Sequence, residues 1–126
     1  MVEVGQPAPR GRSRRTSACR AHVTAWHTED TAYAYDDILA INDYDGWYYE
    51  KASDIGADLD AVQSHGGNKP MALSEYGAEA VLGRGGTGPG REYYQAQLVD
   101  TYNAELANRP YLLGMMCWTS TEFACQ

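Results

Sequence analysis

Side chains able to do chemistry gather at the ends of three short apolar runs. The run 37–42 (DILAIN) ends on Asn42, with Tyr44 two residues on; the run 71–77 (MALSEYG) carries Glu75; the run 111–118 (YLLGMMCW) ends on Trp118 and a polar cluster of Thr119, Ser120, Thr121 and Glu122. A carboxylate can attack or carry a proton. An amide and a phenol supply hydrogen bonds, and an indole offers a broad apolar face with one donor. Other chemistries find no matching pattern. Cys19, His22 and His27 lack metal-ligand spacing and a second pair to close four ligands, so no metal is expected. Ser64 and His65 sit in no G-x-S-x-G elbow. The glycine-rich stretch 83–90 (GRGGTGPG) is neither a Walker nor a Rossmann phosphate cradle and reads as a lid or linker.

The elements that must position the first set follow from periodicity. All three runs are short and continuously apolar, as in parallel strands buried on both faces, and Cys117 inside the last reads as a small core residue. Between the first two, Ser53 is placed to cap a helix whose Ile55, Leu59 and Val62 form one stripe, with Asp54, Asp58 and Asp60 facing water and Gly66-Gly67 at the stop. Residues 91–108 restore the helical period through Tyr94, Leu98, Tyr102 and Leu106, widened by Val99, and Pro110 ends it. The result is α/β repetition that delivers Asn42, Tyr44, Glu75 and Trp118 to one side of a sheet. In parallel α/β folds that side carries the sites. Periodicity fits both an open doubly wound sheet and part of a barrel.

The composition sets further limits. A chain of 126 residues, 44% hydrophobic, has enough apolar material for one packed domain. No apolar run approaches the roughly 20 residues of a membrane span. Three cysteines without a C-x-x-C pair fit a reducing, cytoplasmic setting. The net charge of -7 is uneven: five of ten basic residues (Arg10, Arg12, Arg14, Arg15 and Arg20) lie in the first twenty positions beside one acid, Glu3. The remaining residues carry five basic and sixteen acidic side chains, a body that repels nucleic-acid phosphates. Residues 1–31 read as an Arg-rich disordered leader and 32–126 as the folded domain.

The strings DILAINDYDGWYYE, KPMALSEYGAE and RPYLLGMMCWTSTEF, in this order and spacing, resemble the C-terminal part of the catalytic (β/α)8 barrel of family-two glycoside hydrolases, the β-glucuronidases being the nearest pattern. The resemblance covers residues 32–126. It implies three strands and two to three helices of an incomplete TIM barrel, acting on a β-glycoside without a cofactor. Glu75 is implied to be the nucleophile of a retaining β-glycosidase, β-glucuronidase-like or β-galactosidase-like. Asn42 and Tyr44 match sugar-contacting and nucleophile-orienting positions, Trp47 and Tyr48 complete their motif, and Trp118 matches a sugar platform.

The departures are as definite. The family's general acid/base is the glutamate of an Asn-Glu pair, and no Asn-Glu dipeptide occurs in these residues. Retaining hydrolysis needs two carboxyls about 5–5.5 Å apart, so Glu75 supplies half of the pair. A whole barrel takes about 250 residues. The last block has Glu122 where the family usually has aspartate. The element that would identify the sugar carboxylate falls past Gln126. A carbohydrate-binding or scaffold remnant using Trp47 and Trp118 for stacking is the alternative. In either case, strands without neighbours require another chain segment or an oligomer to complete the sheet.

Overall fold

A computed structural model describes residues 21–23 and 31–119 of the chain. Along it run β1 (Ala21–Val23), a single 3-10 turn (Thr31–Tyr35), β2 (Leu39–Asn42), α1 (Ile55–His65), β3 (Met71–Tyr76), α2 (Glu92–Leu106) and β4 (Leu112–Cys117). The three predicted strands and both helices are present. A fourth strand, β1, arises within the range read as leader; its three residues were too few to register as a periodic segment. Thr31, the last residue of that range, opens the 3-10 turn, and the others lie outside the described residues.

The four strands form one parallel sheet in the order β1-β2-β3-β4. Both helices cover the same face. Leu39 and Ile41 from β2 and Met71 and Leu73 from β3 join Ile55, Leu59 and Val62 of α1 and Leu98, Tyr102 and Leu106 of α2 in one buried cluster. The predicted stripes are the faces that pack, and burying an aliphatic side chain in such a cluster contributes about 1.5–3 kcal/mol. Tyr76, at the end of β3, stacks on Tyr102 of α2 with ring centroids 5.0 Å apart.

The helix ends differ in part from expectation. Asp54, not Ser53, occupies the N-cap of α1, and no side chain caps it. The stop is the expected one: Gly66 is the C-cap and Gly67 adopts φ +82°, a conformation glycine enters at little cost. The Arg109 guanidinium lies close over Gly56, where a Cβ would stand 2.3 Å from it and push that flexible group aside. Arg109 reaches over α1 to hold Asp60 through two nitrogens at 3.1 and 3.0 Å, and Tyr111 donates to the same carboxylate at 2.6 Å. This knot ties α1 to the entry of β4.

β4 corrects one expectation. It was read as a buried strand, yet only Leu112 and Met115 pack against the cluster, while Leu113 and Met116 are exposed and Cys117 is an exposed free thiol rather than a core residue. The reason is position: among the described residues β4 is the last strand of the sheet, with β3 on one side only. The stretch 83–90 is an exposed loop, pinched at its base where Ala80 pairs with Gly90.

Candidate active site

Glu75 faces the side of the sheet away from the helices, and a local irregularity puts it there. Strict alternation from Met71 and Leu73 would aim residue 75 into the helix layer. Leu73 pairs with Ile41 and Glu75 with Asn42, so two residues of β3 advance against one of β2. The ladder to β4 carries a matching shift between Leu73 and Tyr76. This is a β-bulge at Ser74, and it reverses the parity of everything after it. Tyr76 then turns inward onto Tyr102, and Glu75 turns outward to the open face.

The bulged residue also bonds. The Ser74 hydroxyl lies 3.0 Å from the Ile41 carbonyl and 2.6 Å from Asn42 Oδ1, both acceptors for its proton. Asn42 is buried, and with its Oδ1 turned toward Ser74 its NH2 group is left to serve another acceptor. Tyr44 donates its hydroxyl proton to Glu75 Oε2 at 2.8 Å. Burial first, then this bond and the Glu75 charge, raise the Tyr44 phenol well above its ordinary value, so it remains a donor across the physiological range. The Tyr44 amide donates to the Tyr49 hydroxyl at 3.1 Å, and the Asp43 amide to the Glu75 carbonyl at 2.9 Å. The segment after β2 is therefore fastened directly to the end of β3.

Asn42, Tyr44 and Glu75 are thus brought together. Trp118 follows on the same face one strand over: Cys117 pairs with Tyr76 on the helix side, which turns Trp118 to the Glu75 side, 52% exposed. Its amide donates to the Tyr76 carbonyl at 2.8 Å. Gly77 permits this approach, since at its φ of +150° a Cβ would stand 2.7 Å from the Trp118 carbonyl oxygen. Trp47 does not join the group. It packs against the core cluster and near the Tyr94 ring, 6.4 Å between centroids, with its Nε1 enclosed and without a hydrogen-bond partner. Tyr48 is exposed, its ring 5.2 Å from that of Tyr44.

Sequence reasoning missed Ser74, Tyr49 and two buried acids, Asp43 and Asp45. One signal was available for Ser74: a glutamate at the parity of two core residues is a conflict that a bulge resolves. Asp43 and Asp45 flank Tyr44 and point away from the open face into the protein, 2% and 0% exposed. Asp58, expected in water, is half-buried and its charge acts on both. Among the described residues no three His, Cys, Asp or Glu side chains converge to hold a metal ion, and no helix is long and apolar enough to cross a membrane.

No family model matches the chain. The β-glucuronidase of Chlorocebus aethiops is 27% identical over 111 residues, which is 77% of this chain and 16% of that protein. The Faecalibacterium prausnitzii β-glucuronidase superposes with a TM-score of 0.68 at 28% identity, covering 78% of this chain and 18% of that one. A Bifidobacterium dentium β-glucuronidase complexed with coumarin-3-O-glucuronide gives a TM-score of 0.73 at 28% identity, covering 84% and 18%. The chain spans about a sixth of the length of the curated relatives it matches. Similarity in sequence and in backbone makes this chain a relative of the β-glucuronidases of glycoside hydrolase family two.

Proposed function

We propose that the chain carries the nucleophile half of a retaining β-glycosidase site, of β-glucuronidase or β-galactosidase type, with Glu75 as the attacking carboxylate. One observation carries the reading: Glu75 is turned by the Ser74 bulge onto the open sheet face, where Tyr44 holds Oε2 at 2.8 Å. A carboxylate fixed by one oxygen leaves the other free to meet an anomeric carbon in line. Asn42, through its NH2, suits a sugar hydroxyl, and Trp118 offers an apolar face to the C–H side of a pyranose. Trp47 and Tyr48 support the Tyr44 segment, Trp47 from beneath and Tyr48 beside the ring.

The sheet is, in this reading, an arc of a (β/α)8 barrel. Its strands run in unbroken order with both helices on one face, whereas a doubly wound sheet reverses order and places helices on both. The general acid then comes from a segment outside these residues, since they contain no Asn-Glu pair.

The experiment follows from that gap. A 2-deoxy-2-fluoro-β-glucuronyl fluoride needs no acid, because fluoride departs without a proton as the carboxylate oxygen bonds to C1. Incubation with this reagent and its galactosyl counterpart, then peptide mapping, is expected to find the label on Glu75 and none in Glu75→Gln. A label on any other residue defeats the proposal. Saturable sugar binding that depends on Trp118, without labelling, favours the non-catalytic remnant.

A further inference from the structure

The segment that presents Tyr44 to Glu75 is anchored from below by carboxyl groups. Asp45 is fully buried, and neither of its carboxyl oxygens has a hydrogen-bond partner. Its surroundings explain why. From its own loop it meets Asp43, whose Oδ1 accepts the Asp45 amide at 2.9 Å, and Tyr49; from α1 it meets Asp58 and, further off, Asp54; from α2 it meets Tyr102, whose hydroxyl donates at 3.0 Å to the Asp45 carbonyl, not to its carboxyl. Among the described residues, the charges that weigh most on Asp43 and Asp45 are those of other acids, with no lysine, arginine or histidine among them. Ionised carboxylates are acceptors only, so with Asp43, Asp45 and Asp58 all charged no hydrogen bond among them is possible. An isolated buried carboxylate costs several kcal/mol, and two more alongside raise that cost. One added proton lessens both penalties, because a neutral carboxyl donates to a neighbour and one fewer charge is left in the group.

We infer that Asp45 is a neutral, proton-carrying acid that clamps the 43–47 segment onto α1 and α2, and so acts as a positioning residue for Tyr44. Alternation gives the clamp its reach: Asp43 and Asp45 point into the protein while Tyr44, between them, points to Glu75. Tyr94 adds a hydroxyl donor to the Gly46 carbonyl, so the segment is held at adjacent residues from beneath. The inference goes beyond the glycosidase reading and its test does not depend on it.

The sign of the pH dependence is fixed. Burial first, then the Asp43 and Asp58 charges, push Asp45 from the ordinary 3.8 up to about 8. A carboxyl raised in the folded state binds its proton there while the unfolded chain has released it. Its contribution to stability is therefore full below pH 4, falls across the interval above it, and is lost once pH passes about 8.

Thermal melts of the 126-residue chain from pH 5 to pH 9 test this, with Asp45→Asn as the neutral isostere. The parent is expected to lose melting temperature as pH rises. Asp45→Asn is expected to be nearly level and to melt above the parent at pH 9. Parallel curves, or a variant less stable at every pH, overturn the inference. A measurement on the unaltered chain guards against a variant that does not fold: with 13C-labelled aspartate, one carboxyl carbon is expected to titrate above pH 7, and a spectrum in which no aspartate titrates above pH 7 overturns it. A rise in parent melting temperature on adding calcium at pH 8, absent in Asp45→Asn, would assign the charge balance to a cation and also overturn it.

Discussion

β2 and β4 have similar compositions and opposite fates. Leu39, Ala40, Ile41 and Asn42 are all buried, whereas along Leu112–Cys117 only Leu112 and Met115 reach the core and Leu113 and Met116 are 62% and 54% exposed. Leucines and methionines dominate β4 as fully as aliphatics dominate β2. What separates them is neighbours: among the described residues β2 lies between β1 and β3, while β4 borders only β3. An apolar strand states that it wants cover, and the fold decides whether it receives it. An exposed apolar sheet face of this kind marks a surface for association. It adjoins the face that carries Glu75, so whatever covers it also bounds the candidate site.

Three substitutions probe the contrast. Leu73→Ala, in the fully buried centre, is expected to cost about 2–5 kcal/mol by urea denaturation, enough to threaten the fold of so small a domain. A loss under 1 kcal/mol would mean the central cluster is no better packed than the edge. Asp60→Asn, in the knot between α1 and the start of β4, is expected to cost under about 1 kcal/mol, since Asp60 is 52% exposed and water screens the pair. The hydrogen bond from Arg109 lowers the Asp60 carboxyl, so its contribution is present above the unfolded value near 4 and fades as pH falls through the folded one. High salt should shrink the difference between parent and variant; persistence in 1 M salt would contradict a screened surface pair. Met116→Ala, on the open side of β4, is expected to change stability by no more than about 0.5 kcal/mol. A cost like that of Leu73→Ala would show β4 covered in solution, and sedimentation would then identify a second copy as the cover.

Much of this was legible in the chain. Apolar runs located β2, β3 and β4 within a few residues, and the stripes of α1 and α2 are the faces that pack, because a 3.6-residue period forces Ile55, Leu59 and Val62, or Leu98, Tyr102 and Leu106, onto one side. Asn42, Tyr44 and Glu75 were marked by their places at strand ends. Three features were not. β1 is too short to show a period. The bulge at Ser74 depends on how three strands register, a relation no single strand contains. The burial of Asp43 and Asp45 runs against the ordinary rule for aspartate, and only the docking of their loop onto the helices enforces it.

By itself, then, the order of residues determined the element types, the faces of the helices and the set of side chains available for chemistry, since these follow from local period and chemical type. Tertiary structure alone decided which way Glu75 points, which tryptophan reaches the open face, which acids lose their water and which apolar strand lacks cover. Each of those turns on contacts between different elements of the fold, and a local pattern carries no information about them.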